Sequence, residues 1–406
     1  MKNDILWSIL FLFIIYNVKY VFLFGLGTSH LIILIMAILA LLIKTPIKLT
    51  NFLCLVCVLI TSLVSIFFNF NSGFDLIYLR FSIFTLVSLV ATSTIIKIFE
   101  MNKRSAGDFF KFYGYAGFIN SVFIFVMFLS VGFKDFYLNF LNLEITEMLG
   151  DSVMDSMLAL RMVGVTGFSA YATAFNQMLC VFLYYIYATE YRVSSSKLLA
   201  VDYFLIFSIS VSSLIVSRST IVGLGLVFIL MLMDRRNLSK NMLFLAVALL
   251  MLTAAFSSLS FFMTDEQFLF FSNWALEFFN KGLETGSLES NLSMYKYSWD
   301  DFSLFGDARM NDQFGGYYMH TDVGYFRILF SVGYIGIIIL FIMIFTVLRP
   351  VREKINNKAT VFSFLILMYV FIFLLKGSIV TDSSHIIITL LLCSYVLSSK
   401  KNEGKF

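Results

Sequence analysis

His320-Thr321-Asp322-Val323-Gly324-Tyr325-Phe326-Arg327 is the junction at which this chain changes character. Before it lies a long polar insert, Thr264 to Asp322, and after it an apolar stretch runs from residue 323 to 348. Bilayer hydrocarbon needs roughly 20 apolar residues per helix, so the stretch reads as a membrane span with an arginine one turn inside its start. A charge there costs roughly 2.5 to 3.5 kcal/mol on insertion scales and is kept where it faces a partner or a wet cavity. Working outward, 60% of the 406 residues are apolar and only 13% are charged. Soluble domains sit near half and a quarter. The chain therefore reads as an all-α polytopic membrane protein, a single transmembrane domain over residues 1–406.

Apolar windows place about twelve spans, at residues 5–28, 31–43, 51–69, 76–96, 112–131, 168–188, 198–216, 220–233, 241–263, 323–348, 360–376 and 384–398. Lysine and arginine are retained on the cytoplasmic side of short loops. Most of the 29 basic residues then fall inside if both termini are cytoplasmic. The same orientation puts two large loops, 132–167 and 264–322, on the external face. No cleavable leader is expected, because the first apolar stretch is long and lacks a small-residue cleavage site. The four cysteines, Cys54, Cys57, Cys180 and Cys393, all fall in spans and read as packing residues, although the first two have CxxC spacing.

In the first large loop Glu144, Glu147, Asp151 and Asp155 recur at helical spacing, as on a helix lying at the membrane surface with a solvated acidic face. The loop ends in Arg161, Gly164 and Gly167, where a cation on a Gly-flanked segment can approach a ligand closely. The second loop is acidic, which excludes a nucleic-acid partner. It carries Trp274, Tyr295, Tyr297, Trp299, Tyr317 and Tyr318, suited either to stacking on sugar faces or to the interfacial aromatic belt.

Five arginines lie outside the cytoplasmic set: Arg80, Arg161, Arg218, Arg309 and Arg327. Arg80 reads as paired with the nearby Asp75. Arg218 sits in Ser217-Arg218-Ser219-Thr220, where hydroxyls, helix-start amides and a guanidinium fork can together hold an anion. Arg327 shares a stripe with His320, Gly324, Ser331 and Tyr334 if the helix begins near Thr321. Several arginines on one face suit a pyrophosphate, which accepts bidentate hydrogen bonds.

The series Ser217-Arg218-Ser219, Ser298-Trp299-Asp300-Asp301-Phe302, Leu304-Phe305-Gly306, His320-Thr321-Asp322, Arg327 and Gly333-Tyr334-Ile335-Gly336, in a chain with two large external loops, resembles the bacterial O-antigen and capsule repeat-unit polymerases, the Wzy family, and the related O-antigen ligases. Some members carry a glycine eleven positions after an arginine; here Arg161 and Arg327 are followed at that distance by Ala172 and Ile338, and both instead show Arg-x5-Gly, ending at Gly167 and Gly333. The resemblance implies a GT-C-like, metal-independent glycosyltransferase of the bacterial inner membrane, without cofactor. It would move a growing glycan from undecaprenyl pyrophosphate onto a lipid-linked repeat unit on the external face, with membrane lipid and a chain-length regulator protein as further partners. Asp322 or His320 is then the base for the acceptor hydroxyl, with Arg327 beside them as a catalytic cation. Arg161, Arg218 and Arg327, with Tyr317, Tyr318 and Trp299, are the substrate-binding candidates. His320 reads equally well as a helix-start residue. Alternatives are an O-antigen ligase, with the same donor and a lipopolysaccharide core acceptor, or a polysaccharide flippase, a transporter rather than an enzyme.

Overall fold

The computed structural model describes residues 2–43, 45, 47–142, 164–166, 170–192, 198–259, 272, 292–313, 315–349, 357–383 and 385–398. Among these the protein is all-helical, with isolated β-bridges in place of strands. In chain order the helices are α1 (Lys2–Tyr16), α2 (Thr28–Ile43), α3 (Leu49–Phe68), α4 (Ile77–Met101), α5 (Gly107–Leu129), α6 (Val131–Leu138), α7 (Ala170–Ile186), α8 (Ala200–Val216), α9 (Thr220–Met233), α10 (Leu238–Leu259), α11 (Gly324–Leu348), α12 (Asn357–Leu374), α13 (Ile379–Asp382) and α14 (His385–Ser398). Four of them, α3, α4, α5 and α11, are long and apolar enough to cross a membrane, and several others are shorter apolar helices. Each of the twelve apolar windows contains a helix.

The first window is corrected. Its helix stops at Tyr16 rather than near residue 28, because Asn17 takes a positive φ of 43° and the chain then turns through a 3-10 segment, Val21–Leu23. Asparagine tolerates the left-handed region better than the apolar residues around it, so a long apolar run is divided by one residue.

Contacts divide the chain into two compact units, each assembled from separated stretches. One unit comprises Met1–Gly27 and Phe110–Glu289. Its centre is α7, buried almost throughout, which packs on α8, α9 and α1. A polar seam runs through this apolar core. Tyr16 donates to Gln177 Oε1, the Gln177 amide donates to Ser121 at 3.1 Å and Ser212 at 2.8 Å, and Ser212 donates to Ser121 at 2.9 Å. Buried polar groups left unpaired cost about 1–3 kcal/mol each, so the seam fixes which faces of α1, α5, α7 and α8 meet.

The other unit comprises Thr28–Phe109 and Ser290–Phe406. Here α11 packs along α3, α2 along α4, and α14 against α4. Helix α11 is broken at Gly333, whose φ of 65° and ψ of −168° lie in a region open essentially to glycine alone. The break frees carbonyls before it and amides after it, and the segment 303–308 takes up both sets. Asp307 and Ala308 amides donate to Phe330 O at 2.5 Å and Ser331 O at 3.1 Å, while Tyr334 and Ile335 amides donate to Ser303 O at 3.3 Å and Leu304 O at 3.2 Å. Ser65 on α3 adds a 2.6 Å bond to Ser331 O, and Asn69 binds Gly306 O at 2.8 Å. Gly306, itself at φ 73°, lies backbone to backbone with Gly333, and a Cβ on either would overlap the other strand of chain. Non-helical backbone within an apolar helix survives only where protein satisfies it, as here.

Candidate functional site

The segment preceding α11 is pinned to the α3–α4 connection. The Asp75 carboxylate accepts from the amides of Ile77 at 2.9 Å, Met310 at 2.5 Å and Asn311 at 2.9 Å. The expected Asp75–Arg80 pair is thus replaced by backbone capture. Arg309 donates through Nε to Gly73 O at 3.1 Å and through Nη2 to Ser72 O. Asn311 and Tyr317 then form an isolated bridge, closed by Asp312, which accepts from the Gly316 amide at 2.8 Å. Charge-assisted bonds of this kind are about twice as strong as neutral ones, so Asn311 and Tyr317 are delivered to α11 on a rigid support.

Arg327, on the first turn of α11, is 3% exposed. Its Nη1 donates to Asp382 Oδ2 at 2.7 Å and Ser378 Oγ at 2.5 Å, and its Nη2 reaches Asn311 Oδ1 at 3.3 Å. Ser378 also donates to Asp382 at 2.6 Å, and the guanidinium lies 4.4 Å from the centre of the Tyr317 ring. Its Nε is buried without a hydrogen-bond partner. Burying a guanidinium is tolerated when a carboxylate and an aromatic face replace its water.

Asp322, just outside α11, belongs to the same cluster. Burial pushes its carboxyl up from the ordinary 3.8 to about 6; Arg327 and Lys376 pull it back down, Asp382 pushes it further up, and a hydrogen bond from Tyr317 favours the carboxylate. The Tyr317 hydroxyl is itself raised to about 12, by burial first and then by Asp322. A carboxylate with a pKa near 6 is ionised for the most part at neutral pH yet more basic than a free one. That is the condition for accepting a proton from a hydroxyl.

Of the other expected site residues, the structure joins some and separates others. Tyr317 is in the cluster. Tyr318 is turned toward Asp307 and Arg309, with its ring 5.5 Å from Phe330, and supports the loop instead. Trp299 is exposed and stacks on Tyr334 at 6.3 Å, its carbonyl accepting from the Tyr334 hydroxyl. His320 is exposed at φ 53° on a 3-10 turn, and α11 starts at Gly324, so the stripe running from His320 through Arg327 is broken. Among the described residues no hydrogen bond ties its imidazole to Asp322 or Arg327.

Arg218 lies in the other unit, in the turn between α8 and α9. Ser217 and Ser219 hydroxyls bond each other at 2.8 Å, and the amides of Thr220, Ile221 and Val222 donate to the carbonyls of Ser217, Arg218 and Ser219 at 3.1 to 3.2 Å. The helix-start amides expected to face an anion are therefore engaged locally, which removes them from the expected anion site. Arg161, Glu144, Glu147, Asp151, Asp155 and Trp274 lie outside the described residues.

Asp382, Ser378 and Asn311 were not singled out by the sequence reading. Their signal is the spacing of Ser378 and Asp382, four apart in the short polar gap between two apolar windows, where a carboxylate needs a cation. Among the described residues no group of three or more His, Cys, Asp or Glu side chains could hold a metal. Neither a family model, nor a curated protein, nor a solved structure matches the chain significantly.

Proposed function

We propose that this chain is a polysaccharide polymerase of the bacterial cytoplasmic membrane, with about twelve spans, both termini inside and the two large loops outside. The observation that carries the reading is Asp322, an acid lifted to about 6 beside a buried arginine at the membrane border. Intramembrane ionisable clusters are functional sites by default. In this scheme Asp322 accepts the proton of an acceptor sugar hydroxyl, whose oxygen forms a bond to the anomeric carbon of the donor glycan. The carbon–oxygen bond to the lipid pyrophosphate breaks, and that group leaves with the electron pair. Arg327, half neutralised by Asp382, holds the Tyr317 ring and the Asp322 carboxylate in one cluster, and its remaining positive charge acts on the leaving group through space rather than by direct contact. Arg218 is a separate anion contact within its own unit, and Trp299 and Tyr317 are exposed rings for sugar stacking.

The test is to incubate purified protein with an undecaprenyl-pyrophosphate-linked oligosaccharide. A ladder of longer lipid-linked glycans is expected, and Asp322→Asn should reduce it at least ~100-fold, within the range of general-base contributions. An unchanged ladder from that variant removes Asp322 from the mechanism. Elongation only of a lipopolysaccharide core would assign the ligase reaction instead.

One observation favours a second reading. A span interrupted at Gly333, as α11 is, also occurs in transporters that move substrate past discontinuous helices. In proteoliposomes a flippase carries the lipid-linked oligosaccharide across without changing its mass.

A further inference from the structure

At the far end of α3 and α4 from the Asp75 connection, these helices and α14 enclose a cavity of about 250 Å³. Asn51 lines it from the first turn of α3, so the cavity lies about 20 Å from Ser65 at 1.5 Å per residue, toward the opposite end of the helix. Its lining includes Lys48, Asn51, Lys97, Glu100, Ser394 and Tyr395. Lys97 Nζ stands 3.5 Å from Glu100 Oε2, and the Tyr395 hydroxyl donates to Glu100 Oε1 at 3.1 Å. Among the described lining residues two ammonium groups stand with one carboxylate.

Two further side chains point to a ligand. Asn51 is 7% exposed and Ser394 is 8% exposed. Among the described residues neither side chain has a hydrogen-bond partner in the protein, and neither is sealed from the cavity. A carboxamide and a hydroxyl placed beside two lysines make a donor set for oxyanions, since ammonium, amide N–H and hydroxyl all donate. We propose that this cavity binds a singly charged phosphate group, as carried by the phosphodiester of an acidic membrane lipid. Ile47, Leu89, Ile96 and Leu391 add apolar lining suited to a lipid glycerol and acyl root, while the Thr92 and Ser93 hydroxyls beside them are spent on Ser88 O at 2.7 Å and Leu89 O at 3.0 Å. Burial draws the Lys48 ammonium below its ordinary pKa, and a bound anion reverses that penalty. The site does not rest on the glycosyl-transfer reading, because it lies at the opposite end of the helices.

The experiment uses the full chain in zwitterionic detergent, with retention of added phosphatidylglycerol, phosphatidylcholine or inorganic phosphate read by native mass spectrometry. Phosphatidylglycerol should be retained over phosphatidylcholine, and Asn51→Leu and Lys48→Ala with Lys97→Ala should each weaken it at least ~10-fold. Lys103→Ala, outside the cavity, should leave it unchanged. Glu100→Gln should strengthen retention at least ~3-fold, a gain that misfolding cannot produce. Retention of inorganic phosphate alone, lost in the same variants, assigns the site to a soluble phosphate. Equal retention of both lipids, or of phosphatidylglycerol by wild type and the cavity variants, overturns the proposal.

Discussion

Asp322→Asn is expected to make the protein more stable at neutral pH, and the effect can be worked from the structure. Burial raises the carboxyl from 3.8 to about 6, so the fold disfavours the ionised form. The unfolded chain ionises near 3.8 and the folded chain near 6. Below about pH 3.8 both are protonated and the group contributes nothing; above about pH 6 both are ionised and the folded state carries the full penalty. At 1.36 kcal/mol per pH unit this amounts to about 2 to 3 kcal/mol, allowing for the partial exposure of the group. The carboxamide introduced by Asp322→Asn carries no such penalty and can still accept from Tyr317. Asp382→Asn should act in the opposite direction: it removes the carboxylate 2.7 Å from a guanidinium whose side chain is 4% exposed. Leaving a buried charge unpaired costs about 3–5 kcal/mol. Denaturant unfolding of both variants at about pH 7.5 and pH 4.5 measures this. Asp322→Asn should gain stability at the higher pH and lose most of that gain at the lower, while its activity disappears. If Asp322→Asn instead destabilised the protein at both pH values, Asp322 would be a structural partner of Arg327, and both the burial argument and its role as base would be refuted.

Gly333→Ala should destabilise the protein by at least ~3 kcal/mol, because its Cβ meets the Leu304 and Gly306 backbone in a strained conformation; protease sensitivity of the 303–308 segment should rise in parallel. Arg327→Lys keeps the charge but cannot serve Asp382, Ser378 and Asn311 with one planar fork, so glycan elongation should fall at least ~10-fold, about 1.4 kcal/mol. Arg218→Lys should do the same in its own turn, whereas Arg80→Lys should be nearly silent; normal length distributions for both Arg218→Lys and Arg327→Lys would dismiss their role. Elongation should survive chelators, and loss restored by a divalent ion would contradict the metal-independent reading. Cysteines at Ser287 and Asn142 should label from outside and one at Ser239 should not, with reversed labelling overturning the orientation.

Much of the fold was legible because apolar run length is a strong signal: every window contains a helix. What the windows could not give was the break at Asn17, where backbone conformation rather than hydrophobicity decides, or that at Gly333, set by partners in a segment upstream. At the site, Arg327 and Asp322 stood out because charge at a membrane border is expensive wherever the fold puts it. Asp382 did not, since its meaning depends on a guanidinium 55 positions away in sequence. Asp75 misled for the converse reason. Proximity in sequence suggested Arg80 as its partner, while the fold supplied three backbone amides. His320 followed from an assumed helix start a few residues too early, and one turn of error removes a side chain from a stripe.

The broken α11 also dictates an order of assembly. Ser65 and Ser331 are separated by 266 positions, and between α4 and residue 290 the chain builds most of the other unit. During synthesis α3 is therefore made long before Ser331 supplies the carbonyl that the Ser65 hydroxyl binds. The segment 303–308 emerges just before α11 and is the part of the ladder already at hand when the amides of Tyr334 and Ile335 appear. Closure of the break thus comes late and at once, as loop, α3 and α11 meet. Slow docking there would expose open backbone to lipid, and chains stalled at that step would be the natural targets of membrane quality-control proteases.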